Sequence, residues 1–250
     1  RPALGRRSLI TSSTTEVKLE VSEIIPVLSE LLGQPVVAVE PVGGGRNSRV
    51  YRIVCENSDP YIAKLYPDAG PDQRNRLDAE FSGLGFLWDN GLRCIPNPVV
   101  SGNRSGWAIY EYIEGVSVPD ADVTAADIKQ AVKFLFHLKE LRHSAANAKI
   151  GPAAEACFSV QAIFDTIDLR LDRMISLEKK SPQGLALRSF LDTEFSPVLA
   201  DLHRRTLAGS IGSVGSEIGN EERTLSPSDF GFHNALRRSN GDLVFLDFEY

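Results

Sequence analysis

Residues 225–250 read LSPSDFGFHNALRRSNGDLVFLDFEY. Asn240-Gly241 is a strong hairpin signal, because a two-residue type I′ turn needs positive φ at both central positions. A turn centred there places Asn234 directly across from Asp247, on one sheet face and roughly 5 Å apart at Cβ. An amide oxygen and a carboxylate so held suit a hard divalent cation, and Mg²⁺ takes few protein oxygens. Asp229 stands five residues before Asn234, on the loop entering the hairpin. A carboxylate there can accept or orient a hydroxyl proton. Phe230, Phe232, Phe245, Leu246 and Phe248 surround both acids in sequence. Charge in such surroundings costs stability unless a cation offsets it.

Working back from this hairpin, residues 17–32 have helical periodicity closed by Leu28, Leu31 and Leu32, with Gly33 as the stop. Pro26 is awkward inside a helix, which suggests a start there. Strands are expected at Val36–Glu40, Arg49–Val54, Tyr61–Tyr66, Asn97–Ser101 and Trp107–Ile113. A helix over 72–90 carries Leu77, Phe81, Leu84 and Trp88 on one face, with Asp72 as cap and Gly91 as stop. Thr124–His143 opens on a capping box of Thr124 and Asp127, and its predicted apolar face is Ile128, Ala131, Leu135, Leu138 and Leu141. Phe134 and Phe136 are expected to pack. Further helical patterns lie near 159–178 and 184–206, and the Gly/Ser-rich stretch 208–222 reads as loop. His203, Arg204 and Arg205 read as a cationic helix end.

The first half supplies parts for an anionic ligand. Gly43, Gly44 and Gly45, followed by Asn47 and Ser48, join two strands and allow backbone N–H groups to approach phosphate; a plain glycine turn fits equally well. Lys64 lies in the apolar strand YIAKLY, where a lysine needs an anion or a path to water. It is either a snorkelling edge-strand lysine or a phosphate ligand paired with Glu80 on the next helix. The backbone of Glu111, Tyr112 and Ile113, in a connector between lobes, could hold a nucleotide base. Asp-x₄-Asn followed by a hairpin and an Asp is the arrangement of catalytic base and metal ligands in kinases.

The 250 residues carry 27 Lys+Arg against 33 Asp+Glu, a net charge of −6. That disfavours nucleic acid as partner. The three cysteines, without a CxxC pair, suit reduced thiols in a cytoplasm rather than a disulfide framework or zinc site. No apolar run reaches a membrane span. Absence of GxxxxGK[ST] and of a helix-opening GxGxxG disfavours P-loop and Rossmann enzymes.

The stretches GGGRNSRVYRI, YIAKLYP, AEFSGLGFLWDNGLRCIPNPV, YEYIEG and the C-terminal 26 residues together resemble the aminoglycoside phosphotransferase family and its choline-kinase-like relatives. The resemblance implies an α+β, two-lobed, protein-kinase-like fold: a loose lead-in over 1–16, a nucleotide lobe over 17–115 with five antiparallel strands and one helix, and a mainly helical lobe over 116–250. It implies transfer of the ATP γ-phosphate, with Mg²⁺, to the hydroxyl of a small molecule. Asp229 would be the base, Asn234 and Asp247 would bind metal, Lys64 would meet phosphates and Glu80 would hold Lys64. Two departures stand out. Pro227-Ser228-Asp229 replaces the usual His-Gly-Asp, although His233 lies nearby, and the family continues for several helices past the metal aspartate, so a truncated chain is expected. A catalytically weak nucleotide-binding or interaction module is the alternative. A protein kinase is disfavoured by the lack of HRD and APE segments.

Overall fold

The computed structural model describes residues 21–44, 48–66, 76–145, 150–153, 156–176, 181–209, 213–227 and 229–248. The lead-in, Gly45, Asn47 and Asp72 lie outside the described residues. The chain divides into two compact units, one of residues 1–68 and 98–112, the other of 69–97 and 113–250.

In the first unit, helix α1 (Val21–Leu32) precedes strands β1 (Val36–Gly44), β2 (Arg49–Cys55), β3 (Tyr61–Leu65), β4 (Pro98–Gly102) and β5 (Trp107–Glu111). The antiparallel sheet has the order β1-β2-β3-β5-β4, so β3 is its central strand. Alternation in β2 and β3 sends Ile53, Cys55 and Ala63 inward, where they meet Ile24 and Leu28 of α1 and Trp107 and Ile109 of β5. Pro26 sits inside α1 rather than at its start. The backbone hydrogen bond that proline forfeits is outweighed by the burial of Ile24 and Leu28 on either side of it. Ser29 Oγ then donates to Ile25 O and accepts from Val36 N, fixing the helix to the strand that follows. Gly33 and Gly91, the expected helix stops, have φ of +68° and +88°. Pro41 is tolerated because β1 is an edge strand, and the pairing with β2 slips just after it.

The second unit contains α2 (Arg76–Asp89), β6 (Val116–Ser117), α3 (Ala125–Glu140), α4 (Arg142–Ala145), α5 (Val160–Ser176), α6 (Pro182–Phe190), α7 (Ser196–Gly209), β7 (Ala235–Arg237) and β8 (Leu243–Phe245). A π-helical turn, Leu191–Phe195, joins α6 to α7 where the sequence suggested one continuous helix. The helix α2 buries Leu77, Glu80, Leu84 and Leu87, so Leu87 and not Trp88 completes its inner face. His203 does not join a cationic helix end: its ring packs edge-on against Phe164, while Arg204 and Arg205 both pair with Asp201. No helix among the described residues is long and apolar enough to cross a membrane.

One helix organises the small sheet β6-β7-β8. Thr124 and Asp127 form the expected capping box of α3. The buried stripe, however, is Asp127, Ala131, Phe134 and Leu138, while Ile128 and Leu135 face outward and Phe136 is exposed. The helix is turned by the inward Asp127, which receives hydrogen bonds from Arg237 Nη2 at 2.7 Å and Nε at 3.2 Å. Arg237 Nη2 also donates to Asp122 O, on the turn before α3. The Arg237 hydrogen bonds, and then those from Thr124, hold the Asp127 carboxyl down at about 2.

The depressed carboxyl contributes stability that is fully present above its unfolded value, near pH 4, and is lost as the pH falls through about 2. Asp127→Ala should cost about 2–3 kcal/mol at neutral pH, since Arg237 is left facing an uncharged gap. Urea titrations should show the difference from wild type closing between about pH 4 and pH 2; a difference that persists unchanged to pH 2 would exclude this origin.

Candidate active site

The hairpin β7–β8 is set on α3 by three side chains spaced along one helix face. Asp127 grips Arg237 in β7. Gln130, one turn on, donates from Nε2 to Gly241 O at 3.1 Å and accepts from Leu243 N at 2.9 Å. Phe134, one further turn on, stacks on Phe230 and Phe245 with ring centroids 5.6 and 4.7 Å away, and meets Phe248 edge-on. Three of the phenylalanines near the acids, Phe230, Phe245 and Phe248, thus form one cluster around Phe134.

The turn differs from the expected type I′. Leu236 pairs with Val244 and Arg237 with Leu243. Gly241 N donates to Arg238 O, Arg238 N donates to Asp242 O, and Gly241 has a positive φ while Asn240 does not. This is a three-residue loop, a type I turn followed by a left-handed glycine. The Asn240 side chain decides it: Oδ1 accepts from Asp242 N at 3.0 Å, an Asx-type closure that needs no left-handed asparagine. The register is therefore one residue off the expected one. Asn234 O accepts from Leu246 N, so Asn234 stands opposite Leu246 and Asp247 follows one position later.

A one-residue slip would put Asp247 on the wrong face of a regular strand. The chain instead leaves β8 after Phe245 and turns, and Asp247 has φ of +66°, the only non-glycine residue with positive φ among the described residues. Aspartate tolerates this conformation better than most residues, and such strain concentrates at functional positions. Beyond it, Phe248 N donates to the buried Glu80 Oε1 at 3.4 Å. Phe245 N donates to Cys94 O, so the segment after α2 is also tied to β8.

Asp229 and Asn234 lie together on one loop. A 3-10 turn, Phe232–Asn234, folds the loop back, and Asn234 Nδ2 donates to Asp229 O at 2.9 Å. That bond uses Nδ2 and leaves Oδ1 of Asn234 on the other side of the amide. Among the described residues no three His, Cys, Asp or Glu side chains converge as a metal site. The donor set of Asn234 and Asp247 fits Mg²⁺, which completes its shell with water and phosphate, and does not fit zinc.

In the first unit, Lys64 is on the central strand, paired across to Val50 and Ala108, and only 8% exposed; it is not an edge-strand lysine. Its ammonium lies 5.5 Å from the centroid of the Tyr66 ring, and the Tyr66 and Tyr110 hydroxyls are hydrogen-bonded at 2.9 Å. Ser48 is buried as well. Glu111 ends β5, Tyr112 packs under the Arg52 guanidinium, and Ile113 is buried. The last of the chain's boundaries between units falls between Tyr112 and Ile113. Shortly after it, a Cβ on Gly115 would meet Arg237 O at 2.9 Å, so only glycine lets the chain pass this close to β7.

Gln130, Arg237 and Phe134 were not singled out from sequence as supports of the site. Only the capping box pointed at Asp127, and it pointed there for a different reason.

This combination of a five-stranded antiparallel sheet, a mainly helical remainder and an Asp-x₄-Asn loop before a hairpin defines a kinase-like phosphotransferase fold. The sequence pattern of the phosphotransferase enzyme family, APH, matches residues 38–250, and the chain belongs to that family. Among solved structures it is similar to the choline kinase LicA from Streptococcus pneumoniae, at 20% identity and TM-score 0.55 over 92% of this chain and 68% of that one. Spectinomycin phosphotransferase APH(9)-Ia, solved with ADP and spectinomycin, gives 16% identity and TM-score 0.60 over 92% and 69%. The macrolide 2'-phosphotransferase MphH from Brachybacterium faecium gives 16% and 0.56 over 92% and 72%. A search of curated proteins finds no match.

Gln130→Leu keeps the size of the side chain and removes both hydrogen bonds to the hairpin. It should cost about 1–2 kcal/mol in urea unfolding and speed hydrogen exchange at the Leu243 amide more than at Arg237. Unchanged exchange at Leu243 would remove Gln130 from the support of the hairpin.

Proposed function

We propose that this protein is an ATP-dependent small-molecule kinase that transfers the γ-phosphate of ATP to a hydroxyl acceptor of aminoglycoside, sugar or amino-alcohol type. The observation that carries the reading is the loop from Asp229 to Asn234, closed on itself by the Asn234 side chain and followed by a hairpin that ends at the left-handed Asp247. Membership in a phosphotransferase family and likeness to small-molecule kinases support it.

In this reading Asp229 accepts the proton of the acceptor hydroxyl as its oxygen forms a bond to the γ-phosphorus and ADP leaves. Asn234 and Asp247 hold Mg²⁺, which when bound neutralises charge on the phosphate oxygens. Lys64 takes phosphate oxygens, with Glu80 as the carboxylate that orients it, and the backbone of Gly43, Gly44, Gly45, Asn47 and Ser48 covers the phosphates. The backbone of Glu111, Tyr112 and Ile113 takes the base. The protein's work is to position and to stabilise charge, because phosphoryl transfer asks little covalent chemistry of it. A cytoplasmic location suits a supply of ATP and the three free thiols.

Isothermal titration with Mg-ATP and an ADP-release assay over a panel of aminoglycosides, sugars and amino alcohols test the reading. Asp229→Ala should lower turnover by about 10²–10⁴ while leaving Mg-ATP affinity near wild type. Asp247→Ala should lower turnover and raise the Mg²⁺ concentration it needs. Lys64→Met should weaken ATP binding more than about tenfold and, in this reading, lower thermal stability, because removing one partner leaves the buried Glu80 carboxylate uncompensated. No Mg-ATP binding, or turnover indifferent to Asp247→Ala, would overturn the proposal. Binding without turnover on any acceptor would favour the inactive nucleotide-binding module.

A further inference from the structure

His233 touches the candidate base. Its Nε2 lies 3.3 Å from Asp229 Oδ2, although the two residues are not on an α-helix. The intervening chain is extended at Gly231, with φ of −176°, and then enters the 3-10 turn that bears His233. The imidazole folds back over Gly231 so closely that a Cβ there would meet its Cε1 at 2.5 Å and its Nδ1 at 2.6 Å. Between them, Phe230 is anchored in the Phe134 cluster. Asp229 is therefore met at two points: its carbonyl accepts a hydrogen bond from the Asn234 amide, and its carboxylate has the His233 ring 3.3 Å away.

Both side chains are more than half exposed, so as an ion pair this contact is worth little to stability. Its effect is on orientation. From this distance a ring protonated on Nε2 that turns into line with Oδ2 would donate to it, hold the carboxylate in one rotamer, and leave the other oxygen, Oδ1, to the acceptor hydroxyl. Pro227 and the residue after it offer no imidazole on the other side of Asp229. We propose that His233 is a positioning residue for Asp229, and that Gly231 is glycine to admit its ring. The inference rests on the kinase reading for its catalytic consequence and on the contact alone for its geometry.

Two measurements on the full chain test it. In two-bond ¹H–¹⁵N spectra, the His233 ring should be protonated at Nε2, and its signals should move in both Asp229→Ala and Gly231→Ala. Ring signals identical in wild type and both variants overturn the contact, whatever the protein catalyses. In the ADP-release assay with Mg-ATP, His233→Leu and Gly231→Ala should each lower kcat about tenfold with KM for ATP changed less than about twofold. His233→Gln, whose amide reaches the position of Nε2, should restore most of the loss. Gly231→Ala displaces a ring that can rotate away, so it leaves the backbone fold intact and separates position from folding. Wild-type kcat in His233→Leu, or no rescue by glutamine, overturns the role. A wild-type chain that neither binds Mg-ATP nor releases ADP instead defeats the kinase reading and the catalytic consequence with it, and the ring signals still decide the contact.

Discussion

The ion pair between Asp127 and Arg237 couples the start of a helix to the register of a strand. Asp127 already caps α3 through Thr124, so its carboxylate position is fixed by local backbone before Arg237 arrives. The guanidinium then meets both carboxylate oxygens, a planar fork that a lysine could not reproduce. Gln130 and Phe134 follow at the next turns of the same helix. The three contacts act at the strand, at the turn and at the aromatic core of one hairpin. Sliding β7 or β8 by a single residue would break all three at once, which is why the loop and the bend carrying Asp229, Asn234 and Asp247 have one position relative to α3.

The strands and caps were legible because their signals are local: period-two alternation, Gly33 and Gly91 past helix ends, and the Thr124–Asp127 box. The hairpin register was not, because Asn-Gly serves two loop types, and the choice fell to a side-chain bond from Asp242 N to Asn240 that no spacing reveals. The face of α3 was misread for a related reason. Ile128 and Leu135 fit an apolar stripe, but an aspartate displaces them from the inner face when an arginine 110 positions away neutralises it. At the proposed site, Asp229 and Asn234 could be singled out from their Asp-x₄-Asn spacing, whereas Asp247 was placed by a register that is one residue off the observed one. Their supports could not, since a glutamine serving a hairpin looks like any surface glutamine.

Each unit buries a charged residue outside the Asp127–Arg237 pair. Lys64 is on the central strand beside a pair of hydrogen-bonded tyrosines, and Glu80 is 3% exposed on α2. Each costs desolvation. Glu80 recovers part of that cost from the backbone of Phe248, one residue after Asp247, so the buried acid and the candidate metal ligand share a stretch of chain.

The left-handed backbone at Asp247 bears on how such a protein can change over generations. Glycine relieves that conformation outright and asparagine occupies it readily, and each is one nucleotide change from an aspartate codon. On the proposed metal-binding role, the step that relieves this backbone is also the step that removes the metal-binding carboxylate. On that role, aspartate kept at this position records use of its carboxylate, whereas a glycine or asparagine there would mark relief of the backbone at the expense of metal binding.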